Sequence, residues 1–161
     1  MALSETGEAV SGRLERLRRL AGEHSCPNML LTCSENRRYF SGFKAADAQI
    51  NESSGALLIT AGKQYLLTDS RYVLAAGEEA PLFEVIQTQG GDLAASLAEI
   101  GDFSAGLWYE ARYLTVYDLQ LLKKKLKKAK LRPLPFDSRK LRISKNPAEI
   151  ALIEKALAVT E

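Results

Sequence analysis

Histidine is almost missing from this chain: its 161 residues include one, His24. A single imidazole, with no second histidine and no paired carboxylates at ligand spacing, does not make a transition-metal site. Cysteine is scarce too. Cys26 and Cys33 are the two present; they do not form a C-x-x-C pair and have no Cys/His cluster around them. They read as small buried hydrophobes or free thiols of a reducing compartment rather than as a disulfide. A Cys33 nucleophile would need a base, and His24 is the sole candidate. No apolar run approaches the ~20 residues that span a bilayer. The first twenty-odd residues carry Arg13, Glu15, Arg16, Arg18 and Arg19, so they hold no signal-peptide core. The expectation is therefore a cytoplasmic-type protein with no membrane partner. Nor does either charge dominate: 22 Lys and Arg face 20 Asp and Glu, for a net +2, too little to draw the chain to nucleic acid. The patterns G-x-S-x-G, G-x-x-x-x-G-K-[ST] and G-x-G-x-x-G are all absent, and Gly90-Gly91 is only a turn before a helix.

What is present is an ordinary globular composition, 46% hydrophobic and 26% charged, enough for one domain with a core, or one domain plus a tail. Short apolar runs alternate with helical stretches, which argues for an α/β domain. The spacing predicts a helix from about Gly7 to Ala21, with Val10, Leu14, Leu17 and Leu20 inward and the arginines opposite. Met29–Leu31 reads as a buried strand. Ser34 is expected to cap a short helix that Gly42 ends in the left-handed conformation, and 43–54 reads as a loop. Gly55–Thr60 and Gln64–Thr68 form a hairpin around Ala61-Gly62-Lys63. Asp69 or Ser70 is expected to cap a helix carrying Tyr72, Val73 and Ala76. A strand at Phe83–Gln87 follows, then a helix with Leu93, Leu97 and Ile100 inward, closed by Gly101. Gly106–Tyr109 is another strand. Thr115 and Asp118 have capping-box spacing, with Asp118 reaching back to the Thr115 amide, ahead of a helix to about Lys128. Leu131–Leu134 adds an edge strand between prolines.

The run Leu122–Lys130 places Leu119, Leu122, Leu126 and Ala129 on one stripe and turns its lysines outward. A solvated face, with lysines complementing the helix C-terminal dipole, is the plain reading; an acidic partner surface is the alternative. It lacks the aromatic interleaving that nucleic-acid binding would want. Residues 136–144 are basic and irregular, as in a linker. Asn146-Pro147-Ala148-Glu149 then opens a helix strongly, with Ile150, Ile153, Ala156 and Leu157 along one face. This apolar stripe has no stop signal and nothing left to pack on, so the expectation is that the polypeptide continues into a further domain.

Three blocks, in order along essentially the whole chain, carry a resemblance. Asn36-Arg-Arg-Tyr39-Phe-Ser41-Gly42-Phe43 resembles the N-x-x-Y-x-S-G-F segment of the creatinase-type N-terminal domain. Gly55–Thr60 followed by Leu67-Thr68-Asp69-Ser70-Arg71-Tyr72 looks like the next block, ending D-x-R-Y. Leu141–Ala156 is similar to that family's junction, R-x-x-K-x-x-x-E-I-x-x-I-x-x-A. Domains of this kind precede the catalytic half of aminopeptidase P, prolidase and creatinase.

The resemblance implies a ribonuclease H-like α/β fold, a mixed sheet of about five or six strands flanked by helices. It implies that 1–135 is this N-terminal domain and that 136–161 is a linker and first helix leading into a pita-bread catalytic domain. There, two Asp, one His and two Glu would hold two divalent ions (Mn, Co or Zn) that activate a water against the bond before a proline. The chain itself would hold no catalytic or metal-ligating residue and be inactive alone. Its expected partners are its own C-terminal catalytic domain, a second copy in a homodimer, and proline-containing peptides in the parent protein. Aminopeptidase and dipeptidase parents both fit, and two other readings stay open: a metal-free peptide- or protein-binding module, and the front of a creatinase-type amidinohydrolase. The residues singled out as substrate-proximal or interfacial are Asn36, Tyr39, Phe43, Lys44, Asp69, Arg71 and Tyr72. Several also have a plain structural role open to them: Tyr39 and Phe43 packing a short helix on the sheet, Asp69 as a cap, and Arg71-Tyr72 as a buried hydrogen-bonding pair that fixes that helix.

Overall fold

A computed structural model describes residues 7–47 and 53–160. Helices α1 (Gly7–Glu23), α2 (Ser34–Ser41), α3 (Val73–Glu79), α4 (Leu93–Ile100), α5 (Val116–Lys125) and α6 (Pro147–Thr160) alternate with strands. The strands are β1 (Met29–Leu31), β2 (Ala56–Ile59), β3 (Gln64–Thr68), β4 (Glu84–Gln87), β5 (Leu107–Tyr109) and β6 (Leu131–Pro133), and a 3-10 turn spans Ser138–Arg142. They form one six-stranded sheet in the order β4-β3-β2-β1-β5-β6. β2 runs antiparallel to both its neighbours, while the β1–β5, β3–β4 and β5–β6 pairs are parallel. The fold is thus mixed α/β, as the alternating pattern predicts.

Central strands β1 and β2 are buried at every position, as strands covered on both faces must be. Each face carries its own core. Leu31, Leu57, Ile59 and Leu66 pack under α1, α2 and α3 with Leu17, Phe40 and Ala76. Leu30, Leu58 and Leu67 pack on the other side with Leu97 of α4, Leu122 of α5 and Phe103 from the loop after α4. Edge strand β6 is short and ends in proline, which leaves little backbone for unwanted pairing.

Local details depart from the sequence expectations in instructive ways. On α1 the buried positions are Val10, Arg13, Leu14, Leu17 and Ala21, so Arg13 lies inside and Leu20 is only half-buried. Cys33, not Ser34, occupies the cap position of α2, without a side-chain cap bond. Gly42 does end it, at φ 87°. Tyr72 precedes α3, and no side chain caps that helix. Asp92 caps α4 through the Ala95 amide, whereas Gly101 is extended at φ −179°, so no left-handed residue is needed there. The Thr115 hydroxyl takes the Asp118 amide and donates to its carboxylate at 2.5 Å; Asp118 therefore reaches the hydroxyl rather than the Thr115 amide. α5 stops at Lys125, with Leu126 and the later lysines beyond it. At α6 the reciprocal capping box forms: Asn146 Oδ1 accepts the Glu149 amide at 2.9 Å and Glu149 Oε2 accepts the Asn146 amide at 2.8 Å. The loop expected over 43–54 has no regular structure at 43–47 or 53–54, and its middle lies outside the described residues.

Candidate functional site

Five strands of the sheet point the same way, and the C-terminal ends of β1, β3 and β4, with the segment after β5, line a groove of about 1250 Å³. Crevices beyond the carboxyl ends of parallel strands are where α/β folds place ligands, because the connecting loops diverge there. Its lining includes Thr32 and Cys33 just after β1, Thr68 at the end of β3 and Gln87 at the end of β4. The walls include Glu35, Asp47, Arg71, Tyr72, Tyr113 and Asp118.

The residues singled out in the sequence divide between this groove and the body beneath it. Asp69, Arg71 and Tyr72 line the groove. Asp69 turns its carboxylate onto Arg71: Oδ1 accepts the Arg71 amide at 2.9 Å and Oδ2 accepts Nη2 at 2.8 Å. That bonding holds the Asp69 carboxyl below the usual carboxylate range. Arg71 remains 71% exposed and lies 5.2 Å over the Tyr72 ring, so the expected buried Arg71-Tyr72 hydrogen-bonding pair is instead a ring contact at the surface.

Phe43 is fully buried and meets Tyr72 edge-on, with centroids 6.1 Å apart. Lys44 is tied at both ends to Glu79, its amide donating at 2.8 Å and its ammonium lying 3.5 Å away. Beneath this segment sits Arg37, a residue the sequence reading passed over. It is fully buried and donates to Asp47 through both terminal nitrogens, at 3.2 and 3.1 Å. It also donates to the carbonyls of Gly55 at 2.7 Å and Ala45 at 2.6 Å. Burial works against the Asp47 charge, yet the Arg37 and Ser54 bonds win and keep its carboxyl below the usual value. One guanidinium thus holds both ends of the loop that follows the S-G-F segment.

Asn36 and Tyr39 point inward. Tyr39 donates its hydroxyl to the Leu141 carbonyl at 3.0 Å and accepts from Arg16 at 2.9 Å. Arg13 lies 4.2 Å over its ring and donates to its carbonyl. Asn36 is buried completely. It donates to Ser138 Oγ at 2.8 Å and to Glu110, and accepts from Arg142 Nε at 2.7 Å. Glu110, also missed in the sequence, had no local signal: a carboxylate just past a strand looks solvated until the topology sets β5 beside β1.

Two common routes to hydrolysis are an activated nucleophile and a bound metal. Burial first, and then the Glu35 carboxylate accepting from Sγ at 3.0 Å, push the Cys33 thiol up to about 11, the opposite of activation. His24 stacks against Phe136, with centroids 5.4 Å apart. Among the described residues no three His, Cys, Asp or Glu side chains gather as metal ligands, and no helix is long and apolar enough to cross a membrane.

Comparison with known proteins fits this geometry. Residues 13–144 match the creatinase/prolidase N-terminal domain family. The uncharacterized peptidase YqhT of Bacillus subtilis (strain 168) is 30% identical over 151 residues, which cover 92% of this chain and 40% of that protein. A Xaa-Pro dipeptidase from Bacillus anthracis superposes with a TM-score of 0.74 at 26% identity, over 91% of this chain and 39% of its own. The N-terminal domain of the cytoplasmic peptidase PepQ from Mycobacterium tuberculosis H37Rv superposes at 0.69 with 27% identity, over 81% of this chain and 98% of that domain.

Proposed function

This chain belongs to the creatinase/prolidase N-terminal domain family, and from that premise we propose that it is the accessory front domain of a metal-dependent Xaa-Pro peptidase. The observation that carries this reading is the pattern of coverage. The chain spans 39–40% of full-length peptidases but 98% of an isolated N-terminal domain. On this reading, residues 1–135 form the accessory domain, and 136–161 lead into the half that performs hydrolysis. Two divalent ions would sit in that second half, where they would supply the activated water. The described residues of this chain do not gather the donors such ions need. The protein works in the cytoplasm.

The chain's own part is positional. The Phe43–Asp47 segment, with half-exposed Lys44 as its charged group, covers the active site, that of a neighbouring subunit included. The Arg37 clamp underneath supports this role, since a residue that meets substrate must be held in place. Asp69, Arg71 and Tyr72 line the same groove and are the further groups placed toward substrate or subunit contact.

Sedimentation equilibrium of the 161-residue chain tests the assembly part of this proposal. A concentration-dependent shift from monomer toward dimer is expected. A monomer at every concentration would contradict it, and metal-free capture of peptides by a persistent monomer would favour a binding module.

A further inference from the structure

Glu110 follows β5 and is 4% exposed. Its carboxylate gathers four donors from distant parts of the chain. The amides of Thr32 and Cys33 each lie 2.8 Å from Oε2, and Oε1 accepts the Ser138 hydroxyl at 2.7 Å and the Asn36 side-chain amide. Asn36 extends the set by accepting from Arg142 Nε at 2.7 Å. One oxygen therefore grips the β1–α2 junction, and the other grips the 3-10 turn that leads to α6. A buried carboxylate offers only acceptors, and leaving them empty is costly, so its donors are held in one arrangement.

Apolar packing does not define where α6 points. Ile150, Leu152, Ile153, Leu157 and Val159 are 45–86% exposed. Glu149 pairs with buried Arg13 at 2.9 Å; upstream, the turn is anchored by Leu141, which packs on the core and accepts from the Tyr39 hydroxyl, and by Glu110 through Ser138. We propose that Glu110 is a positioning residue that sets the direction in which α6 leaves the domain, acting through Ser138 and the Asn36–Arg142 bond. The inference concerns this chain alone and stands whether or not the parent protein is a peptidase.

Trp108 is the only tryptophan and is fixed in β5 at 7% exposure, which makes it a natural energy-transfer donor. A dansyl acceptor on V159C, at a position 86% exposed, reports the far end of α6. Buried Cys26 and Cys33 stay unlabelled under native conditions. Time-resolved transfer in the 161-residue chain gives the width of the distance distribution. E110Q and S138A are expected to widen it about twofold, as alternative directions become populated. L97A, which cuts a cavity in the core on the other face of the sheet, is expected to lower Tm and leave the width unchanged. S138A, which removes one hydroxyl, keeps the test decisive if E110Q does not fold. An unchanged width in folded S138A, or equal widening in L97A, would overturn the proposal.

Discussion

Asn36 and Arg142 lie 106 positions apart and meet in a 2.7 Å hydrogen bond, from Arg142 Nε to Asn36 Oδ1. The first residue of one sequence block and a basic residue of the last are thus one structural unit, with Glu110 and Ser138 completing it. The polar residues that stand out in this chain do two kinds of work: some hold the body together, and others line the groove.

The Asn36 network gives the first prediction. Asn36→Ala removes two donors and one acceptor from a fully buried site, leaving the Glu110 carboxylate one donor short and Arg142 Nε without its Asn36 acceptor. Destabilisation of about 2–4 kcal/mol is expected, read as a lower urea midpoint with an unchanged m-value. A loss below about 0.5 kcal/mol, the level of an ordinary surface substitution, would mean that the network carries little of the fold.

A second prediction concerns pH. Burial raises the Asp47 carboxyl, but the Arg37 and Ser54 bonds outweigh it, and the folded value ends below the ordinary one. A depressed carboxyl contributes stability that is present above its unfolded value and is lost as the pH falls through the folded one. Stability should therefore drop from about pH 4 downward, and Asp47→Asn should be less stable at neutral pH with a flatter acid limb. Denaturant midpoints from pH 2 to 7 check this. Parallel acid limbs in the two proteins would contradict it.

Backbone geometry supplies a third. At Gly55, φ is +147° and a Cβ would run into the Leu67 carbonyl oxygen. That atom belongs to β3 and cannot swing aside. Gly55→Ala should cost more than about 1 kcal/mol, whereas Gly62→Ala, with open space around it, should stay within about 0.5 kcal/mol. Thermal melts of the two variants compare them directly.

Thiol chemistry supplies a fourth. Cys26 and Cys33 are both 1% exposed, and Cys33 is pushed up to about 11, by burial first and then by its bond to Glu35. Neither should react with Ellman's reagent at pH 8 in the folded chain, and both should react at once in denaturant. Fast native labelling of Cys33 would contradict the burial and the bonding described for it.

Much of the fold was legible because it is written in local signals. Met29–Leu31 and Gln64–Thr68 are apolar runs of strand length, Gly42 marks a left-handed helix end, and Asn146 with Glu149 spells a capping box. What escaped depends on contacts between distant segments. Arg13 sits at a position that the helical period turns inward, beside Leu14 and Leu17, but its charge argued for the surface; its bonds to Tyr39 and Glu149 come from distant segments. Arg37 falls between two motif residues and looked interchangeable. Its role appears only when Asp47 and Gly55 are folded over it. Asp69, Arg71 and Tyr72, singled out by motif, do line the groove, while Glu110, in the body beneath it, was invisible because its partners come from residues 28 to 78 positions away.

The central claim is that this chain is a front domain whose parent does the hydrolysis elsewhere. The most direct measurement is cleavage of a Xaa-Pro peptide in manganese, with and without chelator, by the 161-residue chain and by the same protein extended through its reading frame. The account predicts that the extended protein cleaves before proline and loses that activity to chelator, while the 161-residue chain releases nothing. Chelator-sensitive cleavage by the 161-residue chain, or none by the extended protein, would contradict it.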